Sequence, residues 1–438
     1  MKKRIFSGLL IGTISLSSMA QVGSTLSPYS QYGLGVLAEQ SQGFSRGMNG
    51  LGIGLRNGKI ANMLNPASYS AVDSLTMIFD VGLSGQITNF KENGLRVNAK
   101  TGNFDYAVAA FRLLPKVGFS MGVVPYSHVG YNYYSSDYYN TNVSNASDTY
   151  YNEQYNGSGG FSQAFVGVGW EVFKGFSVGA NISYFWGKYD KSVTIANSDA
   201  YVNTLTKTYS TSVNSYKLDL GVQYQHELSK NDVLTVGAVA GIGHQLGAEA
   251  TLVTTNYSSQ TGVSTTSTDS VPDAFKLPYS FGVGATLLHN NRLTVGIDYT
   301  LQKWSSIDFP MQGSPTNDHK LGYQLASGAL CDRHQVTIGT DWIPNPMGRK
   351  FLGHVHYRLG ASYATPYYNI NGVKGPRELS VSAGLGIPLF NAWNNRSTLN
   401  ISAQWVNRSA DNLVKENSFR INIGLTFNER WFAKWKVD

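Results

Sequence analysis

The chain is poor in charge, nearly without cysteine, and contains no long apolar run beyond its first residues. Only 14% of its 438 residues are Asp, Glu, Lys or Arg, well below the share of an ordinary soluble protein. The lone cysteine, Cys331, excludes an intramolecular disulfide framework and a cysteine-based zinc site, and reads as a small buried or lipid-facing hydrophobe. After the N-terminal segment no stretch of about 18 apolar residues occurs, which excludes helical membrane spans. No Lys/Arg run of five or more follows either, and the net charge of +7 falls to +4 once Lys2, Lys3 and Arg4 are set aside. A charge so small and scattered argues against nucleic acid. Nucleophile-elbow, Walker and Cys/His patterns are all missing, so the sequence points away from an enzyme and from a metal or other cofactor.

What is abundant is glycine, 47 residues, and aromatic side chains, 13% of the chain. MKKRIFSGLLIGTISLSSMAQ has a basic start, an apolar run and small residues at Ser18 and Ala20, the pattern of a secretory signal over residues 1–20. Downstream the hydrophobic period is two. In SFRINIGLTFN, Phe419, Ile421, Ile423, Leu425 and Phe427 fall on one face and Arg420, Asn422, Gly424, Thr426 and Asn428 on the other. Leu293 to Leu301 and Tyr216 to Tyr224 repeat the pattern, as do HQVTIGTDW and HVHYRLGASY. A soluble sandwich would alternate too. These runs, however, reach the roughly ten residues a tilted strand needs to cross a bilayer, and Asp219, Asp298, Asp341 and Arg358 keep to the polar face. Short turns near 114, 173, 228, 289, 345 and 391 alternate with longer connections near 92, 147, 200, 263, 315, 370 and 413. The expectation is an all-β fold: a 14-stranded antiparallel transmembrane β-barrel over 74–428 in the outer membrane of a Gram-negative cell. Its even count puts both termini in the periplasm.

Residues 21–73 lack any period yet carry Leu34, Val36, Phe44, Met48, Leu51, Ile53, Leu55 and Ile60, too apolar for a disordered leader. They contain SRGMNGLGIGLRNG and end in NPASYS. On these two stretches, with the signal and the strand count, the chain resembles the FadL family of outer-membrane transporters for hydrophobic compounds, in a Bacteroidetes-type form. The resemblance implies an N-terminal hatch folded into the barrel lumen, with Asn65, Pro66 and Ala67 fixing its last turn before the first strand. Pro66 by itself biases Asn65 away from helix, and an Asx turn there would satisfy local amides. The family also implies passive uptake of fatty-acid-like or aromatic molecules, released sideways through a kink in the third strand. In VGFSMGVVPYSHVGYNYY, Pro125 would supply that kink, with Val129, Tyr131 and Tyr133 continuing outward in phase with Val117 to Val123.

Expected partners are outer-membrane lipid and a hydrophobic small molecule. Other FadL-like barrels resemble secretion or assembly partners, such as the one that shuttles cargo in type nine secretion, so an envelope protein partner is the alternative. The tyrosine-dense stretch from Tyr131 to Gly157 reads as a binding loop, and the tail 429–438, with Trp431, Phe432 and Trp435, as an interfacial periplasmic segment. His354 and His356, two apart on one strand face, have a spacing a metal could use only if a third ligand converged.

Overall fold

In a computed structural model, residues 27–429 are described apart from 93, 140–148, 200, 316–320, 390–396 and 412. The segment 1–20 and residues 430–438 of the tail lie outside the described residues, as does the centre of the tyrosine-rich stretch.

Fourteen antiparallel strands close on themselves: β1 (Met77–Glu92), β2 (Leu95–Leu114), β3 (Val117–Tyr139), β4 (Thr149–Phe173), β5 (Phe176–Asn197), β6 (Thr204–Glu227), β7 (Asp232–Ile242), β8 (Ser280–His289), β9 (Leu293–Gln302), β10 (Arg333–Trp342), β11 (His356–Ala364), β12 (Arg377–Leu389), β13 (Ser397–Ser409) and β14 (Lys415–Glu429). Closure is made by β1 against β14, in register from Met77↔Glu429 to Lys91↔Lys415. The period of two becomes an apolar outer belt: Phe79, Val81, Leu83 and Ile87 on β1, Val295 and Ile297 on β9, and Phe419, Ile421, Ile423 and Phe427 on β14 are all exposed. The opposite phase is polar and buried, with Asp80, Ser84, Asp298, Asp341, Arg358, Asn400 and Asn422 facing inward. An apolar outside around a polar inside is what a bilayer demands of a closed barrel.

Strand length divides the wall. β7 to β11 run 9 to 11 residues, enough to span, whereas β3 to β6 run 22 to 25 and stand beyond the belt. A hairpin between β7 and β8, 250–257 with 264–271, prolongs this taller sheet by pairing Thr204–Thr211 of β6 with Tyr257–Ala250. Much of the stretch read from sequence as a tyrosine loop is therefore strand. β3 runs to Tyr139 and β4 starts at Thr149, and Tyr133 stacks on Tyr155 across the ladder at 4.8 Å. Tyrosine fits a pleated, half-buried surface well, and the density of turn-forming Asn and Ser masked that preference. The connection near 92 is likewise tight, with Glu92 and Leu95 already paired.

Residues 27–76 lie against the inward face. Their regular elements are short: 3-10 turns at Pro28–Gln31 and Pro66–Ala71, an extended pair Val36–Leu37, and one helical turn, α1 (Gly43–Arg46). Barrel glycines make the fit. A Cβ on Gly118 would come within 1.8 Å of the Tyr69 carbonyl oxygen, on Gly179 within 2.4 Å of the Pro66 carbonyl carbon, on Gly237 within 2.1 Å of the Ile53 oxygen, and on Gly360 within 2.3 Å of the Met48 carbonyl carbon. Met48, Leu51 and Ile53 are buried by this approach, each contributing roughly 1.5–3 kcal/mol. Toward the longer connections, Tyr29, Tyr126, Tyr131, Phe161, Phe185 and Trp304 belong to one buried aromatic cluster.

Gly118→Ala is expected to push residues 66–70 off β3 and destabilise the folded barrel by about 1–3 kcal/mol. Gly85→Ala, whose Cβ would meet nothing within 4 Å, is expected to leave stability unchanged. Urea unfolding in detergent, followed by intrinsic fluorescence, compares the two.

Candidate functional site: a seam between β2 and β3

One ladder in the wall is incomplete. β2 and β3 pair from Leu114↔Val117 to Ala107↔Val123 and no further among the described residues. Past that point β2 continues along β1, from Tyr106↔Gly82 to Leu95↔Glu92, and β3 continues along β4. Each strand carries a bulge at the parting. On β3 the pairs Pro125↔Ser162 and Ser127↔Phe161 leave Tyr126 as an extra residue. On β2 the pairs Tyr106↔Gly82 and Phe104↔Leu83 leave Asp105 as one. A bulge bends its strand and Pro125 has no N–H to donate, so the two edges diverge. The parting occurs beside Leu83, within the apolar belt.

The Tyr126 bulge also overturns the expected phase of β3. Val129, Tyr131 and Tyr133 do not follow Val117 to Val123 outward. One inserted residue sends them into the lumen, where Val129 and Tyr131 are buried in the aromatic cluster and Tyr133 packs against it.

The N-terminal segment lines the seam from inside. Val36 and Leu37 pair antiparallel with His128 and Ser127, and the Ala38 N–H donates to the Tyr126 carbonyl at 2.9 Å. Ser127 Oγ donates to the Leu34 carbonyl at 2.7 Å, and Gln40 Nε2 to the Pro125 carbonyl at 2.6 Å. The edge that β2 abandons on β3 is thus re-paired by residues 34–40. On the other edge Arg46 Nη1 meets Asp105 Oδ2 at 3.1 Å, an off-axis ion contact buried on both sides. Arg46 is aimed by donating to the Ser41 carbonyl at 3.0 Å and to Asn422 Oδ1 at 3.3 Å. Ser84 Oγ donates to Asp105 Oδ1 at 3.0 Å.

Behind the seam lies a chamber of about 260 Å³ whose lining includes Phe104, Asp105, Pro125 and Tyr126. Its walls are charged. Arg408 Nε donates to Glu378 Oε2 at 2.7 Å and its Nη1 lies 3.5 Å from Glu416 Oε2. Arg420 Nε donates to Gln86 Oε1 at 3.0 Å, and Asp298 Oδ2 accepts from the Gly52 and Ile53 amides at 2.7 and 2.9 Å. Arg408 and the two glutamates satisfy one another, whereas Arg420 rests here on a neutral amide and Asp298 on backbone N–H groups. The chamber therefore offers a molecule polar contacts in balanced sign beside apolar area from Val36, Leu37, Leu64, Tyr126 and Val406.

Of the residues singled out from sequence, Asn65, Pro66 and Ala67 lie away from the seam. Asn65 caps the 3-10 turn by accepting from the Ala67 N–H at 3.1 Å, while its Nδ2 donates to the Ile53 and Val222 carbonyls at 2.9 and 3.1 Å. Pro66 occupies the first position of that turn, where its missing N–H costs nothing. Pro125 lies at the parting itself. His354 and His356 do not share a strand face: His354 precedes β11 and its Nε2 contacts the Gly348 carbonyl at 2.6 Å, while His356 Nδ1 pairs with Asp341 Oδ2 at 2.9 Å. Among the described residues no group of three or more His, Cys, Asp or Glu could hold a metal ion. Sequence reading missed Arg46, Asp105 and Tyr126. A signal existed on β2, where Phe104 and Phe111 both face outward seven residues apart, which an unbroken period of two forbids.

Fold and site define a membrane β-barrel with an N-terminal segment packed in its lumen and a parted seam in its wall, the architecture by which antiparallel sheet crosses an outer membrane. The chain belongs to the BamG family, whose model matches residues 1–438. No curated protein matches it. Solved structures with the same fold include a Pseudomonas aeruginosa FadL homologue (TM-score 0.60, 13% identity, 90% of this chain and 99% of that one). The Ralstonia pickettii toluene transporter TbuX is similar too (0.59, 15%, 89% and 98%), as is the CymD monoaromatic hydrocarbon channel (0.58, 14%, 92% and 100%). The likeness to FadL is thus one of fold, and the family whose model spans the chain is BamG.

Asp105→Asn leaves the Arg46 guanidinium buried without its counterion and is expected to cost about 3–5 kcal/mol. The pair Arg46→Met with Asp105→Leu should recover most of that loss. Limited proteolysis around residues 39–50 would show the single variant cleaved faster than wild type and the double variant close to it.

Proposed function

We propose that this barrel admits small hydrophobic or amphipathic molecules from the side of the long connections and releases them sideways into the bilayer between β2 and β3. The long connections face the exterior and both termini the periplasm. Residues 27–76 act as the hatch, with Asn65, Pro66 and Ala67 as its rigid last turn, and Pro125 keeps the seam apart. The observation that carries this reading is the β2–β3 ladder ending inside the apolar belt with a chamber behind it. A wall that opens there lets a molecule leave in the plane of the membrane without crossing the floor of the lumen. The known proteins of this fold include channels for toluene and monoaromatic hydrocarbons, which supports the substrate class. The charged chamber narrows it: a molecule with a polar end fits these walls better than a bare hydrocarbon. No catalytic step is assigned to the barrel.

A second reading is favoured by one feature, the filling of the lumen by the N-terminal segment and the aromatic cluster, which includes the fully buried Phe185 and Trp304. Such a barrel would serve as the membrane partner of an envelope assembly or secretion machine, with the seam as an element of contact. The chain's full-length match to the BamG family, while its likeness to transporters is one of fold, is compatible with that role.

Uptake of a labelled long-chain fatty acid by cells with the wild-type chain, without it, or with Pro125→Ala separates the two. Transport predicts uptake that requires the chain and drops severalfold in the variant, whose restored N–H lets β3 rejoin the ladder. Uptake indifferent to the chain would sink the transport reading and leave the partner role.

A further inference from the structure

Directly above the apolar belt, on the outward face of β12, β13, β14, β1 and β2, the registers align three rows of side chains. The lowest is Val381, Trp405, Phe419, Ile87 and Lys100. Two residues further along each strand come Leu379, Asn407, Asn417, Asn89 and Asn98, with Asn407 Nδ2 donating to Asn417 Oδ1 at 2.8 Å. Next come Arg377 and Ser409, then Lys415, Lys91 and Arg96. Lys91 thus stands directly across the ladder from Lys415 on one side and from Arg96 on the other, and all three are exposed. Like charges opposed on neighbouring strands repel. Among the described residues no ion pair offsets this. Glu92 and Glu416 lie in the opposite, lumenal phase, and Glu416 is buried against Arg408 and accepts from Ser27 Oγ at 2.5 Å. Among the described residues Lys91, Arg96, Lys100, Arg377 and Lys415 enter no ion pair. Elsewhere on the same rim cations meet acids: outward Lys188 on β5 is followed in phase by Asp190, and Lys303 pairs with Asp332.

Four cations and Ser409 on five neighbouring strands, over four amides and Leu379, over an apolar belt, span roughly 19 Å at the usual strand spacing. We propose that they form a binding site for a membrane lipid whose sugar headgroup bears phosphate monoesters. Phosphate oxygens would bridge Lys91, Arg96 and Lys415, the Asn row would take hydroxyl or amide groups of the sugar, and the acyl chains would lie on Phe419, Ile87 and the belt below. The charge comes with exposed donors in a plane, and phosphate satisfies guanidinium and ammonium together. That the leaflet concerned is the outer one rests on the orientation proposed above; the binding chemistry does not.

The test uses the purified full chain in detergent and measures binding of diphosphorylated lipid A, dephosphorylated lipid A, phosphatidylglycerol and inorganic phosphate. The variant is Lys91→Gln with Arg96→Gln and Lys415→Gln; the control, at the opposite rim, is Lys116→Gln with Lys174→Gln and Lys230→Gln. Wild type and control should bind the diphosphorylated lipid at least tenfold tighter than its dephosphorylated form or phosphatidylglycerol, and the variant should lose that preference. Without lipid the variant should melt no lower than wild type, because the opposed cations are gone, and diphosphorylated lipid A should raise the midpoint of wild type and control but not of the variant. Equal binding by variant and wild type, equal binding of the dephosphorylated lipid or phosphatidylglycerol, displacement of lipid by equimolar inorganic phosphate, or a variant that melts lower without lipid would overturn the site. Orientation is read separately, by labelling a cysteine placed at Gly262 in intact cells.

Discussion

Backbone hydrogen bonds cannot be left open in hydrocarbon, and the rest of this structure follows from how that constraint is met. Thirteen of the fourteen interfaces around the wall meet it by ladders that run across the belt, those of β1 with β2 and β3 with β4 carrying one bulge each at the seam. The interface of β2 with β3 meets it only in part, from Ala107↔Val123 to Leu114↔Val117, and the remainder of the β3 edge is paired from within by Val36, Leu37 and Ala38. The N-terminal segment is therefore part of the wall's hydrogen bonding as well as a filling of the lumen. Its hold depends on close approach: glycines on the inward phase allow backbone to meet backbone, and the Arg46–Asp105 contact ties the segment to the second edge of the seam.

Two kinds of closure bear on the same place. Above the chamber an aromatic cluster packs Tyr126 against Phe185 at 5.1 Å, so the bulge that parts the strands also anchors the roof. Beside the chamber the segment 34–41 carries Gln40, whose amide joins Pro125 to Gln163. A movement of residues 34–46 would alter the seam, the roof and the chamber together. That coupling is what the proposed hatch role would require, whether for lateral release or for docking of a partner.

Much of the fold was legible in sequence because a membrane barrel writes its two environments into alternate residues. Phe419 to Phe427 and Leu293 to Leu301 give strand, face and length at once, and the tally of connections gives fourteen strands. The boundaries of the taller strands were not legible, since Tyr, Asn and Ser beyond the belt face water on one side and carry no apolar alternation. The seam was half legible. Pro125 marks a break, but the break's effect on Val129, Tyr131 and Tyr133 depends on Tyr126 being an extra residue, a matter of register with β4 that local pattern does not contain. Arg46 and Asp105, 59 positions apart, meet only because the chain folds back through the barrel. The apolar residues of 34–60 announced that this segment packs, and nothing in them named the glycines it packs on.

Amide hydrogen exchange along β2, in the full chain in lipid nanodiscs, tests the seam most directly. The account predicts slow exchange throughout Ala107 to Phe111, paired on both sides, and fast exchange at alternate amides from Val97 to Tyr106, where one edge has no ladder. Uniform protection across Val97 to Phe111 would mean that β2 and β3 are joined over their whole length, and the parted wall on which the functional reading depends would not exist in the membrane.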